Sequence, residues 1–308
     1  MDRPAQQDAW EIKFDEKSWD LKQPESVKII ESGPERAVIR INDKFQSSSF
    51  QRDMIVRAGD PRVEVNLHAD WHENHILLKV GFPSAAQSDK ATFEIPYGTI
   101  QRPTTRRNSI EQAQFEVPAL RWGDISNEAQ GVSLLNASKY GYDAKDNVIR
   151  ISLLRSPNMP APDNHPADQG VHDMTYALYA HSGDWRVGKT MRQGYELNYP
   201  LIALKTEAHA GALPAKHAFL RIEPGNVILT VMKKAEDDGA LIFRFYEFEG
   251  KPAQVKLELP RTAVSAVETN LMEKHERPIP VAPDHGSITL ATGPYEIHTV
   301  AVTFASAR

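Results

Sequence analysis

The segment HADWHENHILLK, residues 68–79, sets His68, His72 and His75 beside Asp70 and Glu73 within eight positions. Imidazoles and carboxylates are zinc ligands, and HENH is one residue short of HExxH. In HExxH a helix brings positions i and i+4 to one face. The pattern around these histidines is strand, turn, strand. On a strand His68 and His72 stand roughly 13 Å apart, too far to share an ion bound at about 2 Å. His72 and His75 can meet across a turn, but two ligands make a poor site. The residues predict a polar hairpin and no metal in this chain.

Nucleophilic chemistry finds no better footing. His181, Ser182 and Asp184 are close in sequence, yet neighbours on a strand point to opposite faces, so adjacency is not a triad. GxSxG, GxGxxG and the Walker A pattern do not occur. Glycoside hydrolysis needs two carboxylates facing each other across a sugar. Among 41 acidic residues, spacing singles out no such pair, and no catalytic residue is assigned. Trp71, Tyr97, Trp122, Tyr140, Tyr142, Tyr176, Tyr179 and Trp185 fall near strand ends and loops, beside Arg, Asp and Asn. Rings in such company stack on sugar C–H faces. Large rings also fill the core of a β-sandwich, and both readings stay open.

The elements that must position these groups read as strands. Val63, Val65, Leu67, Ala69 and Trp71 alternate with Arg62, Glu64, Asn66, His68 and Asp70, the period of a half-buried strand. SVKIIESG, RAVIRIND, SFQRDMIVRAG, HILLKVGF, ATFEIPYG, QFEVP, GVSLLN, NVIRISLLR, MTYALYAHS, NVILTVMKK, ALIFRFYEFEG, AQVKLELP, SITLATG and YEIHTVAVTF behave likewise. Gly, Pro, Asn and Asp separate them, as turns require. Helical candidates near 109–113 and 191–195 are short. The fold class is all-β, with sheets stacked as sandwiches so that each buries one face. A shift in composition at 206–216 (EAHAGALPAKH) divides a large sandwich, 1–212, from a small one, 213–308. The Pro-rich stretch 156–170 predicts a long loop of the kind that often carries function.

Bulk properties narrow the classes further. A net charge of −5 over 308 residues gives no reason to expect nucleic acid or an anionic membrane as partner. The basic cluster 102–107 (RPTTRR) reads as a solvated loop. The chain has no cysteine, which excludes disulfides and thiolate chemistry and is compatible with a reducing compartment. No run of about 18 apolar residues predicts a spanning helix. The start lacks the apolar stretch of a signal peptide, and the expected location is cytoplasmic. One sequon, Asn136-Ala137-Ser138, occurs.

A larger resemblance is carried by an ordered series: DAWEI, DWHENHILLKVGFP, FEIPYGTIQRPT, FEVPALRWGDIS, GVSLLNASKYGYD, ISLLRSP, HDMTYALYAHSGDW, VILTVMKKAEDDGALIFRFYEFEG and YEIHTVAVTF. The series resembles the C-terminal region of the α-mannosidases of glycoside hydrolase family 38, of the cytosolic and vacuolar type. The resemblance implies a large supersandwich, similar to galactose mutarotase, followed by a small sandwich. It implies zinc-dependent, retaining hydrolysis of terminal α-mannosyl residues. In the family the nucleophile and zinc ligands lie in an N-terminal barrel followed by a helical bundle, and no position here corresponds to them. The chain alone is therefore expected to be inactive. Its expected partners are that barrel and bundle and mannose-containing oligosaccharides, with zinc held by the barrel. The first strands of the supersandwich are expected to be lacking, which leaves a sheet edge that another segment would pair.

The resemblance also implies that these domains lend side chains to the mouth of the active site or to the interface with the barrel. Arg102 is the clearest such residue, since a planar, always-charged fork suits a carboxylate or sugar hydroxyls; the alternative is a surface ion pair. Gln101 and Tyr97 share its loop. Arg121, Trp122, Tyr140, Tyr142, His181 and Asp184 belong to other motif segments and serve the mouth, the interface or the sandwich itself. Two alternatives stand beside this reading: a stand-alone carbohydrate-binding β-sandwich, and a mutarotase-like enzyme with His181 in its acid–base pair.

Overall fold

The computed structural model describes residues 1–4, 7–14, 17–160, 162 and 165–305. The chain divides into two compact units, Met1–Ile95 with Ile100–Ile202, and Pro96–Thr99 with Ala203–Arg308. The first unit carries β1 (Ser26–Ser32), β2 (Arg36–Phe45), β3 (Ser48–Arg57), β4 (Arg62–Trp71), β5 (Leu77–Pro83), β6 (Lys90–Ile95) and β7 (Gly98–Pro103). After helix α1 (Ser109–Gln112) come β8 (Val117–Pro118), β9 (Trp122–Ser126), β10 (Gln130–Asn136), β11 (Gly141–Lys145), β12 (Val148–Arg155), β13 (Gly170–Ser182) and helix α2 (Thr190–Asn198).

Among the described residues these strands form two sheets. One has nine strands in the order β1-β2-β3-β4-β13-β10-β9-β6-β7, the other four in the order β5-β12-β11-β8. The alternation read in β4 holds: Val65, Leu67, Ala69 and Trp71 are buried on its inner face. They meet Phe50, Ile125, Leu134, Met174 and Tyr176 of the same sheet and Tyr142, Ile149 and Ile151 of the other in one core. The pleat puts one residue in two on each side, so a strand with alternating apolar residues can bury only one face. The all-β expectation is what the chain adopts, and both short helices lie where the sequence placed them.

Several strands escaped the sequence reading: β7, β9, β11 and, in the second unit, β14, β18 and β19. The second unit holds β14 (Arg221–Glu223), β15 (Val227–Lys234), β16 (Leu241–Glu247), β17 (Ala253–Glu258), β18 (Ala263–Thr269), β19 (His275–Ile279), β20 (Ser287–Thr292) and β21 (Ile297–Phe304). They form sheets ordered β14-β17-β20 and β15-β16-β21-β18-β19 around Phe243, Phe245, Val255, Leu257, Ile288 and Val300. Residues 200–220 contain no strand or helix. Of the predicted loop 156–170, residues 161, 163 and 164 lie outside the described residues; Ser156 is buried and its amide donates to Ile76 O at 3.0 Å.

Leu134 is fully buried between the two sheets of the first unit. Leu134→Ala removes three carbons from a packed core and is expected to destabilise this unit by about 2–5 kcal/mol. Urea unfolding followed by tryptophan fluorescence measures it, and a loss below about 1 kcal/mol would contradict this account of the core.

Candidate functional site

The three histidines that opened the sequence question sit on three different acids. His68 Nδ1 lies 2.8 Å from Asp173, His72 Nε2 lies 2.8 Å from Asp70, and His75 Nδ1 lies 3.3 Å from Asp8. Among the described residues no three His, Asp or Glu side chains converge as a metal site requires. These histidines do not fit zinc, and each closes a separate polar contact at the end of β4 and the turn after it.

His181 lies at the centre of a buried polar network on the outer face of the nine-stranded sheet. β13 pairs with β10 and β10 with β9, and the register stacks His181, Ser133 and Asp124 on one face. His181 Nε2 is 2.8 Å from Asp124 Oδ2, and both side chains are almost wholly buried. The Ser133 hydroxyl donates to the same Oδ2 at 2.7 Å and lies 2.8 Å from Thr190 Oγ1. The Ser126 hydroxyl donates to Asp124 Oδ1. His181 Nδ1 faces the Ser182 carbonyl at 3.3 Å.

Both ring nitrogens thus face acceptors, which favours the imidazolium. Burial by itself would lower the His181 pKa, but the hydrogen bond and charge of Asp124 outweigh it, and the pKa is raised. A nucleophile triad needs serine on one imidazole nitrogen and the acid on the other. Here both approach Nε2, so the geometry is that of a pin and not of a general base. The pin holds the loop leading into α2. The Tyr179 hydroxyl donates to Gly188 O at 2.7 Å, and a Cβ on Gly188 would come within 2.5 Å of the His181 ring. Only glycine lets the backbone approach that closely.

Asp184 opens the same loop. Its Oδ1 accepts from the amides of Arg186 and Val187 at 3.1 and 3.0 Å, an arrangement typical of an aspartate that starts a turn. Asp184 and Gln101 line one polar cleft of about 360 Å³ together with Asp89, Thr92, Ser126 and Arg186. The structure therefore brings Gln101, Asp184 and the His181 network to the same region of the sheet.

Arg121 and Trp122 serve the packing of α2. Arg121 Nη2 donates to Glu94 Oε1 at 2.5 Å, and its amide donates to Glu94 Oε2 at 2.8 Å. Burial pushes the Glu94 carboxyl up and Arg121 opposes it. The Arg121 guanidinium lies 3.9 Å over the Tyr195 ring of α2, and the fully buried Trp122 packs on Trp185 at 5.3 Å. Tyr142 is also fully buried, and Asn136 Nδ2 donates to its hydroxyl at 2.6 Å. That contact, with the bond from Nδ2 to Leu120 O, buries the amide of the sequon. Of the eight rings considered for sugar stacking, Trp71, Trp122, Tyr142, Tyr176, Tyr179 and Trp185 belong to the core, whereas Tyr140 is 55% exposed. Tyr97, in the short segment of the second unit, has a φ of 56° and meets Tyr246 edge-on at 5.2 Å.

Arg102 differs from every other arginine in its cluster. Arg106 donates to the carbonyls of Thr105, Gln114 and Ala144, and Arg107 pairs with Asp89. The Arg102 guanidinium lies 5.2 Å from the centre of the Phe93 ring. Its Nη1 is buried and meets no hydrogen-bond acceptor among the described residues. Desolvation without a compensating anion lowers its pKa. Among the described residues the ion-pair alternative is not realised, and β7 presents a half-buried cation beside no anion.

Comparison with known proteins follows the same order along the chain. Residues 1–163 match the family described as "Glycosyl hydrolases family 38 C-terminal domain", and residues 226–300 match "Glycosyl hydrolases family 38 C-terminal beta sandwich domain". The chain belongs to glycosyl hydrolase family 38. It is similar to "Alpha-mannosidase 2C1" of Homo sapiens, at 36% identity over 231 residues, which covers 74% of this chain and 22% of the human protein. It is similar to "Alpha-mannosidase G" of Dictyostelium discoideum, at 31% identity over 281 residues, covering 87% of this chain and 25% of that one. The fold superimposes on a crystal structure of an alpha-mannosidase from Enterococcus faecalis V583 with a TM-score of 0.74 at 17% identity, over 91% of this chain and 35% of that one. The family 38 chain thus spans about a quarter of the length of its curated relatives and corresponds to their C-terminal portion.

Two outcomes test the site. Because the His181 pKa is raised on folding, its contribution to stability is complete below the unfolded value of 6.5 and is lost as pH rises through the folded value. Urea midpoints of the wild-type chain are expected to fall as pH rises above 6.5. Asp124→Asn, which removes the charge that holds the proton, is expected to flatten that slope; a wild-type midpoint that rises over the same range would refute the pin. Arg102→Met removes a partly desolvated cation that has no ion-pair partner among the described residues and keeps an unbranched apolar stem against Phe93. It is expected to leave stability unchanged or to raise it by about 1 kcal/mol, whereas a loss above that amount would mean that Arg102 has a structural partner.

Proposed function

We propose that this chain is the β-domain portion of a retaining α-mannosidase that removes terminal α-mannosyl residues. In this reading the chain packs on a catalytic barrel outside these 308 residues and completes the mouth of its active site. The observation that carries the reading is the colinear match of two successive family 38 C-terminal domains with proteins named alpha-mannosidases. In this reading zinc and the catalytic carboxylates belong to the barrel, and His68, His72 and His75 of this chain serve separate contacts with Asp173, Asp70 and Asp8. A cytoplasmic location is part of the same proposal, by likeness of motifs to the cytosolic members. Among the described residues no helix is long and apolar enough to cross a membrane.

The role of this chain in the reaction falls to Arg102. A guanidinium already stripped of part of its water and left without an anion binds an incoming carboxylate or sugar hydroxyl more strongly than a solvated one does. In the assembled enzyme it either holds a barrel carboxylate in place or donates to the sugar. Gln101, exposed next to it, supplies an amide at the same rim. Stand-alone sugar binding has weaker support, because six of its eight rings are spent on the core.

The test combines the purified chain with a polypeptide carrying the family's barrel and bundle and uses a chromogenic α-mannoside, with and without a zinc chelator. The chain alone is expected to give no turnover and the combination chelator-sensitive turnover. Arg102→Ala is expected to lower kcat/KM of the combination by on the order of 100-fold while the chain's thermal midpoint stays put. Turnover by the chain alone would overturn the assignment of the chemistry to the barrel.

A further inference from the structure

The polar cleft at the β7 end of the nine-stranded sheet takes part of its lining from strands and part from loops. Thr92 of β6 pairs with Asp124 of β9, so it shares the outer face with the His181 network. Ser126, two residues beyond Asp124, lies on the same face. Gln101 joins them from β7, the last strand of the sheet. Residues 88–89, just before β6, and residues 184–186, between β13 and α2, line the rest together with Lys90. The volume of about 360 Å³ lies at the lower end of the roughly 300–1,000 Å³ of small-molecule sites.

This lining suits a neutral, polyhydroxylated ligand better than an ion. Asp89 and Asp184 are matched by Lys90 and Arg186, so the formal charges cancel. Thr92 is only 7% exposed, yet its hydroxyl makes no hydrogen bond among the described residues. The exposed amide of Gln101 likewise makes none. The Ser126 hydroxyl gives its proton to Asp124 and keeps its lone pairs for an incoming donor. Asp184 Oδ1 is occupied by two amides, and Oδ2 faces Arg186 Nη1 at 3.3 Å. That bond is long, and the two side chains are 39% and 30% exposed. The pair therefore presents an acceptor and a donor side by side, with the Arg186 guanidinium steadied 4.3 Å over the Trp185 ring. Two adjacent ring hydroxyls, each able to give and to take a hydrogen bond, match such a pair. Further hydroxyls would meet Thr92, Ser126 and Gln101, and no exposed aromatic ring is needed.

We propose that this cleft is a saccharide subsite that holds the sugar next to the terminal mannosyl residue, on the leaving-group side. It thereby sets a preference for oligomannosides over small α-mannosides. This inference rests on the reading that the chain works as part of an α-mannosidase, and it names what the mouth of that enzyme grips. Gln101 adjoins Arg102, which that reading puts at the mouth, and consecutive Cα atoms are about 3.8 Å apart. With the terminal sugar held by the barrel, the part of the substrate left to meet the outer side of β7 is its leaving group. The bonds of Asp124 with His181, Ser126 and Ser133 fix this part of the sheet before any sugar arrives, so little ordering opposes binding. Binding energy from a sugar remote from the scissile bond raises the rate on long substrates and not on truncated ones.

Titration of the purified, isotope-labelled chain with α-mannobiose, followed by NMR, tests the cleft without the barrel. The backbone amides of Arg186 and Val187 and the side-chain amide of Gln101 are expected to shift, with a Kd on the order of 1 mM. Asp184→Asn keeps the oxygen to which the two amides bond and turns the second acceptor into a donor. It is expected to weaken binding at least tenfold. In an assembly with the barrel-bearing polypeptide, Asp184→Asn is expected to lower the ratio of kcat/KM for α-mannobiose to that for a chromogenic α-mannoside by on the order of tenfold. That ratio does not depend on the folded fraction. Absence of shifts at these groups up to about 50 mM α-mannobiose, or an unchanged ratio in an active assembly, overturns the subsite and leaves the functional reading standing. Shifts that Asp184→Asn abolishes, together with an assembly that hydrolyses neither substrate, uphold sugar binding in the cleft and overturn the functional reading.

Discussion

The inner face of the nine-stranded sheet must be sealed by another layer, and the core of the first unit follows from how far that seal extends. Over β4, β13, β10 and β9 the four-stranded sheet covers it, and residues such as Leu67, Leu134 and Trp71 are lost from solvent. Over β1 and β2 it does not, and the same alternation delivers Val27 and Ile29 into water. β1 and β2 carry the same register of apolar residues as β3 and β4, and their exposure follows from the absence of a sheet over them among the described residues.

The outer face of the same sheet solves a different problem. It must be polar, yet part of it is roofed by the loop at 183–189 and by α2. Each polar group under that roof needs a partner, because an unpaired one costs about 1–3 kcal/mol. Asp124, Ser126, Ser133, Thr190 and His181 supply one another, and Glu94 is held by Arg121. Such networks specify a single arrangement more than they add net stability, since desolvation offsets much of the attraction between buried charges. Here the arrangement fixes the loop of Asp184 and the cleft that it shares with Gln101.

How much of this the sequence disclosed depended on the range of the interaction. The strands β4, β10, β12 and β13 could be read because period-two alternation is local. β9 and β11 were missed because WGDIS and GYDAK put a charged residue inside a short strand, and only distant partners explain it. Asp124 meets His181 across 57 positions. The sequence placed His181 near a candidate acid, Asp184, but strand register gave it Asp124, and no local spacing reports register between strands. The one available signal was an aspartate between Gly123 and Ile125 in an otherwise apolar run. The family was legible throughout, since it rests on many ordered motifs and not on any single contact. Of the two readings left open for the eight rings, the core holds for six, because a ring near a strand end is near the core as often as near the surface.

Arg102 and the exposed aliphatics of β1 and β2 are the same phenomenon on two scales. Each is a group whose burial has begun without, among the described residues, the partner that would complete it: a guanidinium against Phe93 with no anion, and Val27, Ile29 and Ile39 with no strand over them. A selected sequence replaces such groups when nothing meets them, because a methionine at 102 or polar residues at 27 and 29 would relieve the strain on solubility and stability at little cost. A lone exposed isoleucine carries no such meaning. Both features lie on a chain that spans about a quarter of the length of the relatives it matches. The unit folds around its own core, and these are groups that the core leaves without a partner among the described residues.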